Sequence, residues 1–204
     1  MTNSEMDDGT NRDDLIERLA MMERMIAEGR RSTTRCGWIF VLWGLVDIAG
    51  MLWQWERPSY WIWPTVLVVG FALFFMVRAL EKRDRPRCAN MEGRTIGAIW
   101  SMMGVATTLY VGAGIGRHLA WQYSFVAGIF MLVGLAHAIS AMVLRWKVQG
   151  LVAGLWWAGA IAMFFAHSSN QMFVVFPLEM FFGMVLFGLY GMALERRDRV
   201  SAHV

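Results

Sequence analysis

The sequence predicts an all-α membrane protein with six transmembrane helices, and three observations lead to this class. Apolar residues make up 57% of the chain and charged residues 17%, whereas soluble globular proteins average roughly 45–50% and about 25%. The 204 residues include 11 Trp, 13 Phe and 17 Met, more bulky apolar mass than a core of this size can enclose. Six apolar segments also approach or exceed the roughly 20 residues with which a helix crosses a bilayer.

The chain divides into an N-terminal segment, a membrane domain and a polar tail. Residues 1–35 form the cytoplasmic N-terminal segment, with a short amphipathic helix at about 11–31, and we expect no regular structure over 1–10. The membrane domain covers 36–194 and the cytoplasmic tail 195–204. The predicted spans are 36–55, 61–80, 96–115, 121–144, 151–166 and 172–194. The fifth has only 16 residues, so whether it crosses fully is the weakest point of this topology.

The distribution of Lys and Arg predicts the orientation of the spans. Seventeen of the 19 lie in the N-terminal segment, the 78–94 region, the 145–147 loop and the tail, and only Arg57 and Arg117 lie in the intervening turns. Loops rich in Lys and Arg stay in the cytoplasm. The sequence therefore predicts a multi-pass protein of the bacterial inner membrane, with both termini cytoplasmic.

A spacing pattern suggests that the six spans form three repeated helical hairpins. The first, third and fifth spans each carry a tryptophan at similar depth, namely Trp43, Trp100 and Trp156. In the first and third hairpins a proline follows 21 residues later and a glycine 27 residues later, as Pro64 and Gly70, then Pro177 and Gly183. Gly134 is the corresponding glycine if the middle hairpin carries extra residues. Chance matches among Trp-rich helices are the alternative.

Three hairpins in about 200 residues resemble small bacterial six-helix membrane proteins of the HdeD acid-resistance type. The resemblance covers residues 36–199 in layout, without a shared motif. The stretch from Arg30 to Gly44 also resembles the start of uncharacterised bacterial membrane proteins. Neither resemblance implies a catalytic residue.

Small residues at four-residue spacing predict close helix packing, because membrane helices associate through small side chains. The fifth span carries Gly150, Gly154, Ala158 and Ala162, and the third ends with Gly112 and Gly116. We favour packing within the chain over a homo-oligomer interface for these stripes.

Three ionisable residues fall inside the predicted spans, where such groups are functional candidates by default. Asp47 is expected near the midplane, Glu179 in the outer third and His137 in the inner third. They predict either a proton or cation path or a set of hydrogen bonds between helices. For the second alternative, which we favour, Asp47 would pair with His137, or with Thr107 or Thr108.

We find no sequence motif for a metal site, a cofactor or an enzyme active site. We expect no cofactor and no metal site, because only one histidine lies within a span and the methionines do not converge. We also expect no enzyme, since neither a zinc-protease motif nor a nucleophile elbow occurs. Membrane topology explains the positions of the basic residues, so nucleic acid is not an expected partner. Cys36 and Cys88 are expected to be free thiols on the cytoplasmic side.

The N-terminal helix is the best candidate for protein contact. Its apolar stripe consists of Leu15, Leu19, Met22 and Ile26, at 4-3-4 spacing. The stripe is open to three uses: docking on the inner mouth of the bundle, pairing with a partner helix, or lying on the membrane. The polar face mixes Glu and Arg, which favours protein over lipid contact. A solvated stalk is the remaining alternative.

Two functional hypotheses follow from these features. The favoured one is a non-enzymatic membrane scaffold or regulatory, stress-associated protein that acts through its helix faces. The alternative is a small proton- or cation-coupled transporter or channel that uses the intramembrane ionisable residues.

Overall fold

A computed structural model describes residues 3–81, 91–116 and 123–201, which are helical apart from short turns and contain no strand. Six helices in these ranges are long and apolar enough to cross a bilayer. The predicted loop residues 82–90 and 117–120, and the predicted start of the fourth span at 121–122, lie outside the described residues. The elements are α1 Asn3–Arg35, α2 Gly37–Glu56, α3 Ile62–Glu81, α4 Met91–Gly116, α5 Tyr123–Leu144, α6 Lys147–Phe164, α7 Ser169–Glu179, a π-helical segment Met180–Leu186, and α8 Phe187–Ser201.

Helices α1 and α6 extend beyond their predicted bounds. Helix α1 begins at Asn3, where we expected no regular structure, and continues past Gly29 to Arg35. Gly29 lies within this helix and is buried. Helix α6 begins at Lys147 and has 18 residues, so the doubtful fifth span is longer than predicted.

Helices α5 and α6 form the most extensive pair of the bundle. They run antiparallel and are joined at Arg145, whose φ of 48° lies in the left-handed region. A Cβ added to Gly150 would lie 3.8 Å from the Cβ of Ala141, which fixes the register of the pair. The fully buried Trp156 and Phe130 pack edge to face, with ring centroids 5.2 Å apart.

Helix α2 crosses α8 and the π-helical segment closely enough that only glycine fits. A Cβ added to Gly37 would lie 2.6 Å from the carbonyl oxygen of Gly188, and one at Gly44 would lie 2.8 Å from Val185. Helix α3 packs on the outside of α2, and α4 packs on the outside of α5. The core therefore lies among α2, α5, α6 and the last span.

The C-terminal part of α1 is fixed to one end of the bundle, which we call the terminal end. Arg30 donates hydrogen bonds from Nε to the carbonyl oxygen of Leu144 at 2.8 Å and from Nη2 to that of Arg145 at 2.7 Å. These carbonyls end α5, where a cation also offsets the helix dipole. Thr33 and Thr34 are buried beside this contact. An exposed ion pair between Arg31 and Asp198, at 3.4 Å, adds little.

Candidate functional site

The imidazole of His137 is fully buried on α5 among three aromatic rings. Its ring centroid lies 4.8 Å from that of Trp100, 5.1 Å from Phe187 and 5.8 Å from Phe40. Neither ring nitrogen has a hydrogen-bond partner among the described residues. The hydrogen bond that we expected from Asp47 to His137 is therefore not formed.

Glu179 ends α7 directly before the π-helical segment, and its side chain is 6% exposed. It packs on Gly159 of α6, where any larger residue would overlap the carboxyl group. Within the described part of the chain Oε2 has no hydrogen-bond partner. Pro177 lies two residues earlier, inside α7, and π-helical turns often occur at functional sites.

Asp47 is half-buried on α2. It lies three residues beyond Gly44, which packs against Met180, Met184 and Val185 of the last span. Because α2 and the last span run in opposite directions, Asp47 is level with residues near Met180 and therefore with Glu179. We expected these two carboxyl groups at different depths, and the helix register instead places them at about the same level.

The threonines proposed as partners of Asp47 bond within their own helix. The Thr108 hydroxyl donates to the carbonyl oxygen of Gly104 at 2.8 Å, and that of Thr107 donates to Sδ of Met103 at 3.3 Å. Neither interaction links two helices. The interhelical hydrogen bonds that we favoured from the sequence are thus absent at His137, Thr107 and Thr108 in the described structure.

Sequence reasoning missed four further residues of the polar interior. Unpartnered buried atoms, counted over the described residues, also occur on Trp100, Ser140, Gln149 and Trp156. Ser140 and Gln149 are fully buried. Ser140 follows His137 by three residues and so shares its helix face, which was the one available signal. Gln149 stands in the turn before the predicted fifth span, so its burial could not be read from the sequence.

These buried polar groups need an explanation, because such groups in native proteins nearly always have a partner. An unsatisfied buried donor or acceptor costs about 1–3 kcal/mol. The residues with unpartnered atoms, which we call the polar column, are Trp100, His137, Ser140, Gln149, Trp156 and Glu179.

Aromatic side chains close the polar column at both ends. Toward the terminal end, the ring of Trp146 lies 5.7 Å from that of Phe187. Toward the opposite end, Phe176 lies 5.7 Å from both Phe130 and Trp63. Gln149 is fully buried and Glu179 is 6% exposed, so these two members of the polar column have little or no contact with solvent in this conformation.

No protein-family model, curated protein or solved structure matches this chain.

The small-residue stripes face outward more than we expected. A Cβ added at Gly154, Gly112 or Gly116 would meet nothing within 4 Å, and only Gly150 faces a neighbouring helix, α5. Ala158 and Ala162 are exposed as well. Packing within the chain therefore does not explain these stripes, and their use by a second copy stays a prediction.

The apolar stripe of α1 is not covered by the rest of the described chain. Leu15 is 55% exposed, Leu19 57% and Met22 48%, while Ile26 is half-buried. Of the uses that we considered, docking of the whole stripe on the protein's own bundle is therefore excluded. The first part of α1 is a projecting arm, defined as residues 15–28.

Proposed function

We propose that this protein is a non-enzymatic membrane scaffold that assembles through the projecting arm of α1. The exposed apolar stripe of the arm is the observation that carries the proposal. Apolar patches of this kind on a surface in water mark interaction sites. Exposed apolar residues on the six long helices need no such explanation, since lipid covers them.

The attachment of α1 to the bundle supports a binding role for the arm. Arg30 fixes the helix to the end of α5, and Gly29 is buried. Leu15 lies 14 residues before Gly29, about 21 Å along a continuous helix. The bundle thus holds the stripe at a fixed distance and direction, so little conformational entropy is lost when a partner helix docks.

We propose a second copy of the chain as the partner. In a heptad repeat Leu15 and Met22 take d positions, and Leu19 and Ile26 take a positions, as in two-stranded coiled coils. Two copies inserted in the same orientation present their arms in parallel. In that arrangement Arg18 at g of one helix faces Glu23 at e of the other, a complementary pair repeated by symmetry.

The orientation of the spans belongs to the same proposal. The terminal end carries the basic side chains of α1, the Arg145 turn and the end of α8, whereas the turn after α2 carries Arg57. Under the positive-inside rule the terminal end faces the cytoplasm. The arms of two copies then meet in the aqueous cytoplasm of a bacterial cell.

The three-hairpin repeat gains support from one kind of contact, which occurs in the first and the third hairpin. The Gly70 position lies 2.6 Å from the Trp43 ring, and the Gly183 position lies 2.6 Å from Nε1 of Trp156, both measured from an added Cβ. The first and third hairpins thus use their Trp and Gly, 27 residues apart, in the same way. Gly134 instead contacts Trp157 and Trp156 of the next hairpin, so we propose the repeat for the outer two hairpins.

The oligomeric state of the full chain in lipid nanodiscs tests this function. We expect two copies per particle for the wild type and one for Leu19→Glu, because a carboxylate at the centre of the stripe prevents pairing. Ala20→Glu is the matched control, since Ala20 is exposed on the adjacent face, and it should remain dimeric. A monomeric wild type, or a dimeric Leu19→Glu variant, would overturn the proposal.

A further inference from the structure

The unpartnered polar atoms of the bundle interior lie in an ordered series along its axis. Gly150 faces Ala141, so in the antiparallel α5–α6 pair Ser140 is level with residue 151 of α6 and His137 with residue 154. On the other side of α6, Glu179 packs on Gly159. From the terminal end the order is therefore Gln149, Ser140, His137 with the adjacent Trp100, then Trp156 and Glu179.

The members of this series follow one another at short intervals along the axis. Neighbouring levels differ by at most three residues of α6, or about 4.5 Å, and the whole series spans about 15 Å. These values are rises along the axis, and we infer that internal water molecules bridge the remaining distance between neighbouring polar atoms. The indole Nε1 of Trp156 also lies against Gly183, one helical turn from Glu179, which links the α6 and α7 sides of the series.

The chemistry of the series matches water and protons rather than a larger solute. Indole donates, whereas hydroxyl, amide and neutral imidazole groups both donate and accept. Buried waters in proteins occupy sites with two to four such groups. Within 37–55, 95–116, 123–144, 148–164 and 169–194, the Asp, Glu and His side chains are those of Asp47, His137 and Glu179. Of these three, His137 and Glu179 belong to the series.

We propose that the polar column binds internal water and conducts protons between Glu179 and the terminal end. The Glu179 carboxylate takes a proton from water that enters past Phe176 and becomes a neutral acid. It then releases that proton to a water molecule in the polar column. His137 accepts a proton on one ring nitrogen and loses one from the other. The proton leaves past Gln149.

After one passage Glu179 is again a carboxylate and His137 carries its proton on the opposite ring nitrogen, so the imidazole rotates or exchanges tautomers before the next proton passes. The aromatic layers at Phe176 and Trp146 must part to admit water, as in hydrophobic gates that open by wetting. The proposal is independent of assembly through α1, because all of its residues lie within one bundle.

Proton flux into liposomes tests the proposal. The full chain is reconstituted at matched density, a potassium–valinomycin potential drives uptake, and an internal pH dye reports it. We expect uptake above that of protein-free vesicles for the wild type and none above it for Glu179→Gln, which keeps the shape of the carboxyl group but cannot exchange a proton. Glu56→Gln, at an exposed carboxyl group on the end of α2, is the matched control and should conduct like the wild type.

Two further variants complete the test of proton conduction. If Glu179→Gln does not elute as a single folded species, the Ser140→Ala, Gln149→Leu double variant replaces it and should also lose flux. Leu19→Glu should conduct like the wild type per copy, which separates this test from that of assembly. Wild-type uptake equal to that of empty vesicles, or undiminished uptake in the folded column variants, would overturn proton conduction.

Discussion

The bundle interior contains polar groups that are buried, whereas the projecting arm of α1 carries apolar side chains that are exposed. Inside the bundle, His137 is fully buried with both nitrogens unpartnered in the described structure. On the arm, Leu19 is 57% exposed although no lipid is expected to cover it. Each region would be more stable with the other's residue type. Places where a sequence disagrees with its local environment tend to be functional, so these two regions are where we expect this protein to act.

Exposure alone does not distinguish the two kinds of apolar surface in this molecule. Met142 on α5 is 79% exposed, more than any residue of the α1 stripe, yet it lies on a helix long enough to span a bilayer. The arm differs because it precedes the first span and carries charged residues on its other face. The comparison therefore depends on a rigid frame, formed by the bundle helices, that separates the arm of α1 from the polar column.

Gly37→Leu should break that frame and give the largest effect. A side chain at Gly37 meets the backbone oxygen of Gly188, which cannot move aside without displacing α8. We expect a loss of about 3 kcal/mol, at the upper end for overpacked sites, seen as a lower unfolding temperature in detergent. Gly154→Leu, at a position where an added Cβ meets nothing within 4 Å, should leave that temperature unchanged. Equal effects would mean that α2 and α8 do not cross as described.

Arg30→Ala should uncouple the arm from the bundle. It removes two hydrogen bonds from a charged donor to the end of α5, and such bonds contribute about 1.5–3 kcal/mol each. We expect faster proteolysis within residues 15–30 and weaker dimerisation, with proton flux unchanged. Arg31→Ala removes only an exposed ion pair and should behave like the wild type. If both variants resist protease equally, the arm is held by other contacts.

His137→Phe should leave the stability of the fold nearly unchanged while removing a step of the proton path. The substitution removes the imidazole together with the internal water that we propose as its partner, an exchange that is nearly neutral, and three aromatic rings already surround the site. We expect the free energy of unfolding to change by less than about 1 kcal/mol and flux to fall. Undiminished flux in the folded variant would show that the proton path does not pass through His137.

Glu23→Arg should give the smallest effect, confined to the arm. It places two like charges opposite each other in a parallel pair, and exposed pairs of this kind contribute about 0.5 kcal/mol. Dimerisation measured by fluorescence transfer between labelled copies should weaken slightly. The Arg18→Glu, Glu23→Arg double variant should restore it. No restoration would favour a different register or a different partner.

The spans could be predicted from the sequence because length and apolar composition suffice to define them. Asp47, His137 and Glu179 could be found because an ionisable residue in a span is conspicuous. Ser140 and Gln149 could not, since neutral polar residues are common in helices and their burial depends on which helix lies opposite. The stripe of Gly150, Gly154, Ala158 and Ala162 shows the same limit: spacing defines a face but not its neighbour.

The contact of Arg30 has a consequence for the order of events during synthesis. Its acceptors, Leu144 and Arg145, follow it by 114 and 115 residues, so the ribosome completes α1 long before α5 exists to receive it. During that interval the arm is attached only through α2. Arms of neighbouring chains on one messenger can therefore meet while their bundles are unfinished, and pairing would then precede the closing of each bundle by its last helix.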